Sequence, residues 1–310
     1  MPLDPAAKSL LDLINSLDTV PMAEMTPQMM RGGMKLPADE SPVVMAQIHD
    51  VVIAGSALPI SARVYVPHSN AEQLPLCLFY HGGGFVVGDL VDYDSWCRRI
   101  ADKAGAIIVS VNYALAPEYK FPQGPDDCYQ ALLWAESNAV NYGGDKRKIA
   151  VMGDSAGGCM AAVVCQRALA EQGPAICHQV LIYPVTDFNF DTTSYINNGE
   201  GYFLTRERMQ WFWNHYLENT EQGALPYASP IRSESLCGLP SATVITAQYD
   251  PLLAEGKSYS DKLTSHGVST TYRMYEGMFH GFTSFINMLE QADQSIDFIA
   301  SQLQQSFSEA

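Results

Sequence analysis

Residues 149–158 read Ile-Ala-Val-Met-Gly-Asp-Ser-Ala-Gly-Gly, and the predicted fold is organised around this stretch. Its first four residues are apolar and suit a β-strand, whereas the small residues that follow suit a helix. A G-x-S-x-G pattern between a strand and a helix is typical of a sharp turn that exposes the serine hydroxyl. Glycine suits positions 153 and 157 because a β-carbon there would collide with the tightly turned chain. The pattern alone also occurs by chance, but in this context it predicts Ser155 as a nucleophile.

The size and charge of the chain limit its possible partners. Its 310 residues suffice for one large domain or for a core with an accessory lid. With 18 basic and 34 acidic residues the formal net charge is −16, which argues against nucleic acid or an anionic membrane surface as a partner. A well-solvated acidic surface is the simplest explanation of that charge. No apolar run approaches the length of a membrane span, so we expect no stable membrane insertion.

The cysteines and the N-terminus indicate a cellular compartment. The seven cysteines include no C-x-x-C pair, and several lie in apolar surroundings such as Leu76-Cys77-Leu78. They therefore look like small buried residues and not like metal ligands or disulfide partners. This usage favours a reducing compartment. The first residues show no basic segment followed by an apolar run, as a secretory signal would have. We expect a cytoplasmic protein.

Strands and helices alternate through most of the chain. Residues 47–54 and 60–67 suit an antiparallel hairpin, and from residue 74 onward strands and helices follow each other in turn. The later predicted strands are 76–80, 106–111, 148–152, 179–183, 242–248 and 270–275, and the helices between and after them are 94–104, 125–142, 156–172, 254–266 and 291–304. This order predicts the α/β class, with a mostly parallel central sheet flanked by helices on both faces.

Two segments depart from this alternation. Residues 187–241 are too long for an ordinary connection and contain a predicted helix, 205–217, rich in aromatic residues. Residues 1–45 contain an amphipathic stretch and a methionine-rich stretch, whose side chains suit either flexible core packing or an apolar pocket. We expect both segments to form a helical cap over a core made of residues 46–186 and 242–310, although the aromatic helix also suits packing onto the core. The candidate pocket residues are Trp211, Phe212, Trp213 and Met34.

A serine nucleophile needs a base, a group that orients this base, and donors for the oxyanion. Asp250 follows a predicted strand and suits the orienting acid, although it suits the cap of the next helix equally well. Among the seven histidines, His280 lies in a loop after the last predicted strand, whereas His266 next to Gly267 suits a helix end. Together with Ser155, these residues give the order Ser–Asp–His along the chain.

A glycine-rich loop is the candidate source of the oxyanion donors. His81-Gly82-Gly83-Gly84 follows predicted strand 76–80, and glycines allow a backbone to approach a substrate closely. The predicted donors are the amides of Gly83 and Gly84 and that of Ala156, which follows the serine. A plain glycine-rich turn is the alternative. A phosphate-binding loop is disfavoured because no Gly-Lys-Ser/Thr follows.

Taken together, these motifs resemble the hormone-sensitive-lipase family of esterases, and the similarity extends over nearly the whole chain. The stretches that carry it are His81–Gly84, Asn112–Glu118, Gly153–Gly158, Asp250–Leu252 and His280–Phe282. The resemblance implies an α/β-hydrolase fold with a cap, hydrolysis of small carboxylic esters of short-to-medium acyl chains without metal or cofactor, and a homodimer formed through the last strand. Two departures concern local packing: Ala114 replaces a common Arg or Tyr, and residues 253–255 read Leu-Ala-Glu instead of Arg-Asp-Glu.

The leading hypothesis is a serine carboxylic-ester hydrolase that works through an acyl-enzyme intermediate. An amidase or peptidase with the same three residues is the nearer alternative. A non-catalytic ligand receptor on the same fold is the other. The plant gibberellin receptors, which resemble this family, lack the catalytic histidine, and this chain has His280.

Overall fold

A computed structural model of the chain describes residues 2–17, 20–33, 39, 41–55 and 57–310. These residues form an eight-stranded sheet of order β1-β2-β4-β3-β5-β6-β7-β8. Its strands are β1 Gln47–Ile53, β2 Ile60–Val66, β3 Leu74–Tyr80, β4 Ile107–Asn112, β5 Gly144–Asp154, β6 His178–Ile182, β7 Ser241–Tyr249 and β8 Thr270–Phe279. Strand β2 runs antiparallel to β1 and β4, whereas the pairs from β4 to β8 are parallel. The predicted α/β class with a mostly parallel sheet is confirmed.

Helices cover both faces of this sheet. They are α1 Pro5–Ser16, α2 Pro27–Arg31, α3 Asp94–Ala104, α4 Gln123–Asn138, α5 Ala156–Ala170, α6 Thr193–Asn198, α7 Arg206–Tyr216, α8 Leu253–Ser265 and α9 Glu290–Glu309. Helices α4, α5 and α8 share an apolar cluster with one face, whereas α1, α3 and α9 share a cluster with the other. No helix in the described ranges has both the length and the apolarity needed to cross a membrane.

Strand β5 shows why the sequence produces this layered core. Ile149 and Val151 belong to the cluster that contains α4 and α5, whereas Ala150 and Met152 belong to the cluster that contains α3 and α9. Successive strand residues point to opposite faces, so a strand covered on both sides must be apolar throughout. This explains the unbroken apolar run before the serine motif. The strand itself begins at Gly144, earlier than predicted.

Helices α6 and α7 lie in the long segment between β6 and β7. Helix α7 begins after Thr205, whose hydroxyl accepts the Arg208 amide at 3.1 Å, as expected of a helix cap. Its Met209 and Trp213 side chains are buried in the apolar cluster of α4 and α5, so the helix does pack onto the core. The sequence did not predict α6, because its six residues carry no apolar period.

The N-terminal segment contacts this same region. Trp211 Nε1 donates to the carbonyl of Met25 at 3.2 Å, which joins α7 to the methionine-rich stretch. Arg31 donates to the carbonyl of Val86 at 2.9 Å and forms an ion pair with Glu118 at 2.6 Å. The two segments expected to form a cap therefore contact each other and the core.

Candidate active site

Ser155 occupies the turn between β5 and α5 in a strained backbone conformation. Its φ and ψ are 54° and −117°, in a region that residues with a β-carbon rarely adopt. A β-carbon on Gly153 would collide with the carbonyl of Gly157, and one on Gly157 would collide with that of Tyr80. The turn is held by the Ser155 amide, which donates to the carbonyl of Ile182 at 2.8 Å. The glycines are therefore required by close backbone contacts, as predicted.

His280 lies between Ser155 and Asp250. Its Nδ1 is 2.7 Å from Asp250 Oδ2, and its Nε2 is 2.9 Å from Ser155 Oγ. An ionised carboxylate only accepts hydrogen bonds, so Nδ1 carries the proton and Nε2 accepts the serine hydroxyl. Each of the three residues directly follows a strand, namely β5, β7 and β8, and the carboxyl ends of parallel strands meet at one edge of a sheet.

Asp250 makes a contact that suits each of the two roles that the sequence left open. It is 0% exposed, and its Oδ1 accepts the amide of Leu252 at 2.8 Å while its Oδ2 accepts His280. The first hydrogen bond satisfies a free amide just before α8, as a capping residue would. Capping and orientation of the histidine are therefore compatible functions of one carboxylate.

The ring of His280 is also confined by packing. The ring of Tyr183 lies 4.7 Å from it between centroids, and the Tyr183 hydroxyl forms a 2.5 Å hydrogen bond with Thr283 Oγ1. Gly281 follows the histidine with φ of 82°, a left-handed conformation that favours glycine. Tyr183 carries no motif, so the sequence alone did not reveal this contact.

The glycine loop after β3 approaches the same edge of the sheet. Gly83 and Gly84 have φ of 117° and 59°, and a β-carbon on Gly84 would collide with the ring of Phe212 on α7. Within the part of the chain that the structure describes, the amides of Gly83, Gly84 and Ala156 donate to no acceptor. Three free amides in this region are what an oxyanion site requires.

Asp154 joins this loop to the serine turn. Its Oδ1 accepts the Gly82 amide at 2.7 Å and its Oδ2 accepts the Tyr93 hydroxyl at 3.0 Å. Burial raises the pKa of Asp154 to about 6, although both hydrogen bonds act in the opposite direction. Sequence reasoning missed this function, even though Asp154 lies inside the serine motif; Tyr93 gave no signal at all.

The candidate pocket residues occupy different places. Phe212 packs on Gly84 of the glycine loop, and Trp211 contacts the N-terminal segment through Met25. Trp213 is buried with its ring 5.4 Å from that of Phe85. Met34 lies outside the described residues. Among the residues that are described, no three His, Cys, Asp or Glu side chains are grouped as a metal ion would need.

The α/β hydrolases are a class of proteins defined by such a sheet and by a serine at the end of a central strand, with a glycine two residues before it and another two residues after it. Residues 77–284 match a family described as having the alpha/beta hydrolase fold. Carboxylesterase NlhH of Mycobacterium tuberculosis is 35% identical over 296 residues, which are 94% of this chain and 92% of that protein. Carboxylic ester hydrolase LipN of the same organism is 39% identical over 253 residues, 80% of this chain and 67% of that protein.

Among solved structures, a hyperthermophilic esterase from Pyrobaculum calidifontis superposes with a TM-score of 0.92 at 36% identity, covering 98% of this chain and 99% of that one. The chain belongs to the hormone-sensitive-lipase-like family of α/β-hydrolase-fold carboxylesterases, which confirms the resemblance seen in the sequence.

Proposed function

We propose that this carboxylesterase hydrolyses small esters through a covalent acyl-enzyme on Ser155. The observation that carries the proposal is the position of His280, within hydrogen-bond distance of both Ser155 Oγ and Asp250 Oδ2. A base that touches the nucleophile and is oriented by a buried carboxylate is the arrangement that nucleophilic catalysis needs.

In the acylation step, Ser155 Oγ bonds to the acyl carbon while its proton passes to His280 Nε2. Asp250, which accepts from Nδ1, stabilises the imidazolium that forms. The tetrahedral intermediate then breaks its bond to the alcohol oxygen, and His280 returns the proton to that oxygen. The free alcohol leaves, and the acyl group stays on the serine as an ester.

Deacylation repeats the sequence with water in place of the serine hydroxyl. His280 takes a proton from the water as its oxygen bonds to the acyl carbon, and the proton then goes to Ser155 Oγ when the acid is released. In both steps the negative oxygen is stabilised by the amides of Gly83, Gly84 and Ala156. Loss of one such donor costs about 100-fold to 1,000-fold in kcat in other hydrolases.

The cap supports a preference for short-to-medium acyl chains. We assign residues 1–45 and 187–241 to the cap and residues 46–186 and 242–310 to the core. Phe212 lies against Gly84, so a bulky ring borders the site where the acyl carbon must sit. Each methylene buried in a pocket gains about 0.8 kcal/mol until the chain meets such a wall. Trp211, Trp213 and Met34 are further candidates for this wall.

Two broader proposals accompany this function. Strand β8 is at the edge of the sheet, and an unpaired edge favours association with a second copy of the chain, so we propose a homodimer. The seven cysteines are free thiols, which supports a reducing, cytoplasmic location.

The test of the proposed function compares Ser155→Ala with Ser301→Ala, an exposed serine on α9. We expect Ser155→Ala to lose ester hydrolysis while retaining the wild-type Tm, and Ser301→Ala to keep both. Matched ester and amide substrates are assayed together, because comparable rates on both would favour the amidase alternative. Full activity in Ser155→Ala would contradict the proposal.

A further inference from the structure

The short helix α6 of the segment between β6 and β7 contacts the loop that carries Asp250. Asn198, its last residue, donates through Nδ2 to the carbonyl of Gln248 at 3.1 Å and to that of Asp250 at 3.2 Å. A single amide group thus holds two carbonyls on either side of the strand end. The two N–H donors of the Asn198 amide point in fixed directions, so together they restrain the backbone between the two carbonyls.

Ser194, at the start of the same helix, holds the other half of this loop. The Ser194 hydroxyl donates to the carbonyl of Pro251 at 2.6 Å and accepts the amide of Ala254 at 3.1 Å. Ser194 is buried, so these hydrogen bonds do not compete with bulk water. A buried group left without its partner costs more than an exposed one.

The start of the segment is attached to the neighbouring helix as well. Glu255 on α8 accepts the amides of Thr186 and Asp187 through Oε1, at 2.7 and 3.3 Å. The chain that leads to α6 and the helix that follows Asp250 are therefore held together. This contact adds to the hydrogen bonds that Ser194 and Asn198 make with residues 248–254.

The direction of the Asp250 side chain depends on that backbone. Asp250 Oδ1 accepts from the Leu252 amide two residues away, and Oδ2 accepts from His280. If the loop shifts, the carboxylate shifts with it and its alignment with the imidazole is lost. A misplacement of about 1 Å in a catalytic group can cost up to about 100-fold in rate.

We infer that Ser194 and Asn198 are positioning residues for the catalytic acid, so that α6 takes part in catalysis through Asp250 as well as belonging to the cap. The inference rests on the proposed function of Asp250. It also predicts that a change in α6 lowers turnover without changing which acyl chain is preferred.

The test compares Asn198→Ala with Asn197→Ala, the exposed asparagine next to it on the same helix. We expect kcat to fall about 10-fold or more in Asn198→Ala, with KM nearly unchanged and the same factor for acetyl and hexanoyl esters. Asn197→Ala keeps wild-type kcat. Ser194→Ala, with exposed Thr193→Ala as its control, supplies an independent pair. The inference would be overturned if kcat fell by different factors for the acetyl and hexanoyl esters. It would also be overturned if each variant had the same kcat as its control.

A measurement that does not require activity separates this inference from the proposed function. The proton between His280 Nδ1 and Asp250 gives a low-field NMR resonance when the pair is aligned. We expect Asn198→Ala and Ser194→Ala to shift or lose it, Asn198→Gln to restore part of it, and both controls to retain it. The same spectra in a Ser155→Ala background test the positioning even if that serine is not the nucleophile. An unchanged resonance in both α6 variants would refute the positioning role.

Discussion

The carboxylate of Asp154 and the amide of Gly82 are 2.7 Å apart, so the residue before Ser155 holds the glycine loop in which we propose two of the oxyanion donors. The Tyr93 hydroxyl donates to the same carboxylate and accepts the Gly82 amide at 3.1 Å. Serine turn and glycine loop thus share one buried hydrogen-bond network. Networks of this kind are stable only when each member has a partner.

Replacing Asp154 by asparagine removes a titration that destabilises the folded protein near neutral pH. Burial raises the pKa of Asp154 to about 6, from about 4 in the unfolded chain. A raised carboxyl pKa gives a stabilisation that is complete below about pH 4 and is lost as the pH rises through 6. Between about pH 4 and pH 8, we expect the free energy of unfolding of the wild type to fall by up to about 3 kcal/mol relative to that of Asp154→Asn.

The measurement is the Tm of both proteins across this pH range. The quantity to compare is how the difference in Tm between the two proteins changes with pH. The asparagine of Asp154→Asn leaves one donor without an acceptor, which shifts the Tm of this variant at every pH. The exposed Asp12→Asn variant serves as the control and should follow the wild type. Parallel curves for wild type and Asp154→Asn would show that Asp154 does not titrate in this range.

A methyl group on Gly84 should disable the glycine loop. Its β-carbon would collide with the Phe212 ring, so the loop must move, and its amides would leave the position that we propose for the oxyanion donors. We expect kcat/KM to fall about 100-fold or more in Gly84→Ala. Gly105→Ala is the matched control, because Gly105 has φ of 60° but no atom within 4 Å of a β-carbon. It should lose about 1–2 kcal/mol of stability and no activity. Equal activity in both variants would contradict the assigned loop function.

The aromatic residues of α7 should affect acyl-chain preference and stability separately. Phe212 contacts the glycine loop, so Phe212→Ala should move the best acyl chain from about four to six carbons toward longer chains. Trp213 is buried against Phe85 and Phe188, so Trp213→Ala should cost about 3–5 kcal/mol of stability. The measurements are kcat/KM for 4-nitrophenyl esters of two to sixteen carbons and the Tm. A wild-type optimum at twelve carbons or more would rule out the short pocket.

The edge strand β8 should mediate a homodimer. Its one neighbour in the described sheet is β7. Near the end of β8 the carbonyls of Glu276 and Gly277 accept hydrogen bonds from Gln291 and Asp4, so the edge proposed for pairing is residues 270–275. Light scattering at micromolar concentration should give twice the mass of the chain. A proline in place of Met274 should lower this mass, because the backbone of residue 274 faces the free edge and proline removes its donor. A wild-type mass equal to that of one chain would remove this proposal.

The sequence was informative wherever a residue directly follows a strand. This is true of Ser155, Asp250 and His280. Parallel strands bring the residues at their carboxyl ends to one edge of the sheet, so the sequence predicted that these three lie close together. The glycines of the turn and loop were visible for a related reason: steric collisions allow no other residue there. Such features depend on local geometry, which restricts the residue types at a few neighbouring positions and so produces a recognisable short motif.

Contacts that depend on tertiary packing were not visible. Ser194 and Asn198 are ordinary polar residues in a six-residue helix, and nothing in their spacing indicates that they face the loop of Asp250. The aromatic residues of α7 were recognised, but composition does not tell which ring faces the site and which faces the core. Trp213 and Phe212 are adjacent in sequence and contact different elements.

The most direct test of the central claim is the identity of the residue that an ester-like inhibitor modifies. An alkyl 4-nitrophenyl phosphonate should release one equivalent of 4-nitrophenol per chain, abolish turnover and leave its phosphonyl group on Ser155, as located by mass spectrometry of the peptides. We expect no modification in Ser155→Ala and slow modification in His280→Ala, as the central claim requires. A phosphonyl group on any other residue, or ester turnover that continues after Ser155 is fully modified, would contradict it.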